Sequence, residues 1–166
     1  PGTVTQTYMD VFVKGQLDRS EFISATEDNS VTQVVKYGTL VDSVSRDDSL
    51  VSVHRNDDGS GYLTFASGDT MLFSSQVTCN ASAYAIHGWT ASGRPTQYGN
   101  IAVDPSVFPY GTQFYIYTDD GYLTYGMATA ADCGGSIKGN KIDLWFDEYS
   151  QACRFGRRNC TVFVLN

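Results

Sequence analysis

A mostly β fold, a six-stranded barrel with one short helix behind a small hairpin-rich N-terminal part, is predicted for this 166-residue chain by three observations. β-branched and aromatic residues recur in short runs, Gly, Asp, Asn and Ser separate those runs, and helical periodicity is almost absent. The hydrophobic fraction of 42% is enough to bury a core.

In the first part, strands are expected near Tyr8–Val13, Thr32–Tyr37, Leu50–His54 and Tyr62–Phe65. The turn-rich stretch from Asn56 to Gly61 joins the last two into a hairpin, and Asp57-Asp58 and Asp47-Asp48 read as turns. From about Met71 the texture changes to six candidate strands: Ala81–Ile86, Ile101–Val103, Gln113–Tyr117, Tyr122–Ala130, Ile142–Phe146 and Thr161–Leu165. Six short strands suggest a small closed barrel. A helix is expected at Glu148–Phe155, with Asp147 capping its start, Gly156 ending it, and Tyr149, Ala152 and Phe155 on one face. The expected division is therefore 1–70 and 71–166.

Charge narrows the function classes. Residues 1–70 carry five basic and eleven acidic groups and residues 71–166 six and seven, for a net charge of −7. A nucleic-acid binder needs clustered Lys and Arg, so that class is excluded. No apolar run approaches the roughly 20 residues of a membrane span. Pro1-Gly2-Thr3 is no secretory signal, which suggests a trimmed or excised piece. Cys79, Cys133, Cys153 and Cys160 lack paired zinc spacing, and His54 and His87 lie far from any such pair, so neither metal nor other cofactor is expected. An even cysteine count suits an oxidising compartment, with three pairings open, while small buried thiols are the alternative.

The chemistry-bearing segment runs from Ala131 to Phe146, where Asp132 and Asp143 flank a loop holding Gly134, Gly135 and Gly139. Such glycine density marks a sharp bend or a close approach. Strand alternation sends Ile142, Leu144 and Phe146 inward and Asp143 with Trp145 to the other face. There a sugar could stack on Trp145 while the carboxyl group reaches a glycosidic oxygen, although a merely wet strand face would have the same pattern. A third aspartate stands in Ile101-Ala102-Val103-Asp104-Pro105, before Val107-Phe108-Pro109-Tyr110-Gly111-Thr112.

Asp104-Pro105, Asp132 with Gly134-Gly135, Ile137-Lys138-Gly139-Asn140 and Ile142-Asp143-Leu144-Trp145-Phe146 together resemble the signature of the three-aspartate (3D) domain. That domain is shared by stationary-phase survival proteins and the catalytic barrel of the membrane-bound lytic transglycosylase A family. The resemblance covers roughly residues 77–166, including Ala81-Ser82-Ala83-Tyr84, Thr90-Ala91-Ser92-Gly93 and Phe155-Gly156-Arg157-Arg158. More weakly, Phe12 to Thr39 resembles the tail of a five-glycine wall-associated module. The stretch between Tyr84 and Asp104 is shorter than in many relatives.

The resemblance implies a double-psi β-barrel, located outside the bacterial cytoplasm, that cleaves the bond between N-acetylmuramic acid and N-acetylglucosamine in peptidoglycan. It also assigns roles. Asp143 would be the acid and then the base, Asp132 and Asp104 would position it and tune its proton affinity, Lys138 with the amides of Gly134 and Gly135 would hold substrate oxygens, and Tyr84 and Trp145 would offer stacking faces. Like-charge repulsion and burial both raise a carboxyl pKa, which is what a proton donor needs. His87 reads as a polar surface residue, and Cys133 as a disulfide clamp on the glycine loop. The alternatives are an expansin-like barrel that grips polysaccharide without cutting it, a hydrolytic muramidase using the same carboxylates, and, well behind, a divalent-cation site made by the three aspartates.

Overall fold

A computed structural model of the chain describes the backbone of residues 4–13 and 16–27 and the whole of residues 48–166. The chain divides into two compact units, Pro1–Val41 and Asp42–Asn166. In the first, β1 (Val4–Val13) and β2 (Gln16–Glu27) pair antiparallel with irregularities after Thr7 and Val11. The expected strand at Thr32–Tyr37 lies outside the described residues.

The second unit is one sheet of eight strands: β3 (Leu50–Arg55), β4 (Gly61–Phe65), β5 (Thr70–Tyr84), β6 (Asn100–Val103), β7 (Gln113–Thr118), β8 (Thr124–Cys133), β9 (Lys141–Trp145) and β10 (Arg158–Leu165). Six of them run in the order β10-β7-β8-β6-β9-β5, and β10 also pairs with β5, which closes the ring. The β5–β9 and β6–β8 pairs are parallel and the remaining contacts antiparallel, giving the double-psi barrel. β3 and β4, placed by the sequence reading with the N-terminal part, extend this sheet through the start of β5. Their hairpin turns at Gly59 (φ 86°), where Asp58 accepts bonds from the Ser60 amide at 2.9 Å and the Ser60 hydroxyl at 2.6 Å. Gly61 is required by space, since a Cβ there would lie 2.0 Å from the His54 carbonyl oxygen.

β5 is 15 residues long, and its first two thirds escape the sequence reading. Thr70–Phe73 pair with β4, Phe73–Ala81 with β10, and Asn80–Tyr84 with β9. This one strand carries the hairpin, the barrel seam and one side of the site. The barrel core holds Ile101, Val103, Phe114, Ile116, Tyr125, Ile142, Leu144 and Val162, with Phe146 beside them. Ile142, Leu144 and Phe146 thus point inward, as the alternation predicts.

The single helix among the described residues, α1 (Tyr149–Phe155), packs Ala152 and Phe155 on that core. Its N-cap is Glu148 rather than Asp147: Glu148 has extended backbone, and its amide donates to the Gln151 side chain at 3.4 Å. Tyr149 is exposed instead of sharing the buried face. Gly156 (φ 63°) ends the helix, its amide donating to the Ala152 carbonyl at 3.1 Å. Among the described residues, no helix is long and apolar enough to cross a membrane.

Candidate active site

Four strands contribute to one row of side chains. Ala102 on β6 pairs with Asp132 on β8 and, across its other edge, with Asp143 on β9, and Asp143 in turn pairs with Ser82 on β5. Direct cross-strand partners share a face, so the row reads Asp132, Ala102, Asp143, Ser82. Ala102, whose side chain is small and buried, separates the two carboxyl groups.

A bulge turns Asp132 into this row. Ile101 pairs with Ala130, and Ala102 pairs with Asp132, so Ala131 is an extra residue on β8. Ala130 faces the core. Without the extra residue, Asp132 would lie on the core side of the strand with Ala130; the bulge moves it to the side of Asp143. The carbonyl of Ala131 accepts the Ser92 amide at 3.0 Å.

Asp143 is half-buried and accepts a 2.7 Å bond from the Ser82 hydroxyl at Oδ1. Burial raises its pKa above the ordinary carboxylate value, and the negative charge of Asp132 adds in the same direction, against the opposing effects of the Ser82 bond and of Arg157. Asp132 Oδ1 accepts the amides of Ala91 and Cys133, each at 2.9 Å. The Tyr84 hydroxyl lies 3.5 Å from Asp132 Oδ2, and its own pKa is raised by burial and by both aspartates. Tyr84 is therefore a neutral donor to Asp132.

Asp104 takes another part. Its carboxylate accepts the Ser106 hydroxyl at 2.8 Å, the Ser106 amide at 3.1 Å and the Gly139 amide at 2.8 Å. These bonds, led by that of Gly139, hold its pKa below the ordinary value. Asp104 thereby ties the end of β6 to the glycine loop. That loop is held further by Ile137, which is buried beneath Gly134, so close that a Cβ on Gly134 would lie 2.9 Å from Ile137 Cγ1. Gly135 and Lys138 are exposed, and Lys138 is near enough to Asp104 to favour its charge.

Two expectations need correction. Trp145 is only 5% exposed and offers no open stacking face, because the 86–87 segment covers it: its indole N–H donates to the Ile86 carbonyl at 2.9 Å, and the His87 ring meets it edge-on at 5.3 Å. Cys133 is an exposed thiol in contact with Tyr110, not a disulfide clamp. Two exposed aromatic residues stand in this neighbourhood, Tyr110 at 40% and Trp89 at 77%, and the sequence reading left Trp89 without a role. A concavity of about 460 Å³ beside α1, lined by Tyr98, Leu123, Trp145, Phe146, Asp147 and Gln151, includes none of the three aspartates.

The chain is similar to several known proteins over part of its length. Among curated proteins, the cell wall-binding protein YocH of Bacillus subtilis (strain 168) is 42% identical over 102 residues, covering 56% of this chain and 33% of YocH. YabE of the same organism, a candidate cell wall shaping protein, is 39% identical over 105 residues, covering 61% of this chain and 24% of YabE. The chain thus spans a third or less of the length of these relatives. Among solved structures, lytic transglycosylase MltA of E. coli superposes on 49% of this chain and 28% of its own, with a TM-score of 0.41 and 25% identity. The 3D domain family model matches residues 99–166, the segment that carries Asp104, Asp132 and Asp143 and to which the similarity to that family is confined.

Proposed function

We propose that residues 71–166 act on bacterial peptidoglycan as a lytic transglycosylase, outside the cytoplasm. The observation that carries this reading is the Asp132–Ala102–Asp143–Ser82 row, in which a half-buried carboxyl group with raised pKa stands beside a second carboxyl group. A glycosidic oxygen must be protonated as it leaves, and a carboxyl group that holds its proton toward neutral pH supplies that proton.

In this mechanism Asp143 gives its proton to the oxygen between N-acetylmuramic acid and N-acetylglucosamine. The C1–O bond breaks, and positive charge develops on the muramic ring facing Asp132. The ionised Asp143 then takes the proton from the muramic C6 hydroxyl, whose oxygen attacks C1 of the same sugar. The products are a free N-acetylglucosamine hydroxyl and a 1,6-anhydro end, and Asp143 regains its proton. No water enters, in contrast to hydrolysis by two carboxyl groups. Asp132 stabilises the developing charge, Tyr84 donates to substrate or to Asp132, Lys138 and the Gly134-Gly135 backbone hold substrate oxygens, and Asp104 fixes the loop that carries them.

The test is release of soluble fragments from purified sacculi by the wild type and by Asp143→Asn. Loss of release with an unchanged circular dichroism spectrum supports the assignment, and release at the wild-type rate overturns it. A second reading, a barrel that binds wall glycan without cutting it, is favoured by the similarity to YocH, a cell wall-binding protein. It predicts that the wild type co-sediments with sacculi and releases nothing.

A further inference from the structure

We propose that the hairpin over residues 88–96 presents Trp89 as a stacking platform for a pyranose ring of the wall glycan, beside the carboxylate row. This deepens the reading above and rests on it.

The hairpin is held by its own hydrogen bonds and is anchored at the site. Trp89 bridges Pro95, the Thr90 amide donates to the Arg94 carbonyl at 2.8 Å, and the Gly88 amide donates to Thr96 Oγ1 at 2.8 Å. Gly93 (φ 81°) makes its tip, the amide donating to the Thr90 carbonyl at 2.9 Å. Both anchor points of this segment belong to the site. On one side Ile86 accepts the Trp145 indole N–H, and Trp145 is the register partner of Tyr84. On the other the amides of Ala91 and Ser92 dock on Asp132 and on the Ala131 carbonyl freed by the bulge. Trp89 is two residues from Ala91, so its Cα lies within about 7 Å of that anchor. An indole left 77% exposed at such a place has an apolar face that solvent serves poorly and that the C–H face of a sugar ring matches.

The proposal is tested with Trp89→Ala and Trp89→Tyr, by co-sedimentation with purified sacculi and by tryptophan emission on adding a soluble N-acetylglucosamine tetramer. Aromatic packing of this kind corresponds to a roughly three- to tenfold weakening of binding in Trp89→Ala, with recovery in Trp89→Tyr. Wild-type emission should shift to the blue on saturation, and that of Trp89→Ala, which retains only buried Trp145, should not move. Unchanged affinity in Trp89→Ala overturns the platform while leaving the catalytic reading intact if the same variant still releases fragments. A wild type that neither binds nor cleaves sacculi overturns both.

A separate observation carries a second inference: the geometry points to a disulfide between Cys79 and Cys160. The two are register partners on β5 and β10, the seam that closes the barrel, and both are 0% exposed within its core. Antiparallel partners hold their Cβ atoms about 4.5–5.5 Å apart, within a small adjustment of disulfide geometry. Cys133 and Cys153 are exposed. Among the bonds open in the sequence, the register thus selects this one alone, with Cys133 and Cys153 left as thiols. Both residues are thiols in this structure, and burial raises them to about 11 and about 12 respectively. Exchange is therefore suppressed in the closed barrel, and the bond forms while the seam is still open. The two thiols lose two protons and two electrons to a disulfide oxidant, which is reduced to two thiols.

Refolding in oxidised and reduced glutathione, followed by peptide mapping by mass spectrometry, tests it. The expected result is a linked peptide pair containing residues 79 and 160, and a thermal midpoint higher than that of Cys79→Ala/Cys160→Ala. Full alkylation of both cysteines after unfolding of the glutathione-refolded protein, or a bond from either one to Cys133 or Cys153, overturns it.

Discussion

Removing the Ser82 hydroxyl should move the pH dependence of the reaction without touching the substrate or the acid itself. Ser82 donates to Asp143 at 2.7 Å and so favours the ionised form. A hydrogen bond to a charged group has a net worth of about 1.5–3 kcal/mol, and about 1.4 kcal/mol corresponds to one pKa unit. Because Asp143 is only half-buried, the lower end of that range applies. Ser82→Ala should therefore shift the alkaline limb of the pH–activity curve upward by roughly one unit, measured as fragment release from sacculi over a buffered pH series. Ser82→Thr, which keeps the hydroxyl, should restore the wild-type limb. The effect on stability has a matching sign. Burial raises Asp143 in the folded state, so its contribution to stability is complete below the unfolded value and declines as pH rises through the folded one. Ser82→Ala should deepen that decline at neutral pH and leave acid stability nearly unchanged. A limb that stays in place, or moves toward acid, would refute the assignment of Asp143 as the proton donor.

Two other perturbations probe the scaffold. The Tyr125 hydroxyl donates to the Trp145 carbonyl at 2.9 Å and accepts the Gly99 amide at 3.2 Å, so Tyr125→Phe leaves two backbone groups without this partner. Urea unfolding should show a loss of about 1–3 kcal/mol, with the stacking on Tyr98 retained. Asp104→Ala releases the Gly139 amide and should lower both activity and thermal stability. Since the folded state holds Asp104 below the ordinary carboxylate value, its contribution is present above the unfolded value and is lost as pH falls through the folded one. The midpoint gap between wild type and Asp104→Ala should therefore be wide at neutral pH and close in acid.

Much of the barrel is legible from residue types, because its strands are short and β-branched or aromatic. Ile101–Val103, Gln113–Tyr117 and Ile142–Phe146 each lie within a residue or so of a strand in the structure. The start of β5 is not, since Ser74-Ser75-Gln76 breaks the apolar pattern where pairing with β10, not local preference, makes the strand. The facing of Asp143 follows from alternation alone. That of Asp132 does not, because it depends on a bulge at Ala131 set by pairing with β6. The turn at Asp104 had a signal in the sequence, since an Asp-Pro pair alone reads more often as a turn than as a site, and Asp104 and Ser106 form an Asx-type turn. The burial of Trp145 had none, because its cover comes from residues 86–87, and the same fold-back leaves Trp89 outside.

The reaction class is decided by the mass of the ends released from purified sacculi. Internal attack by the muramic C6 hydroxyl, with Asp143 as acid and then base, predicts 1,6-anhydro ends one water lighter than reducing ends, absent from the Asp143→Asn digest. Reducing ends from the wild type, or anhydro ends persisting in Asp143→Asn, would contradict it.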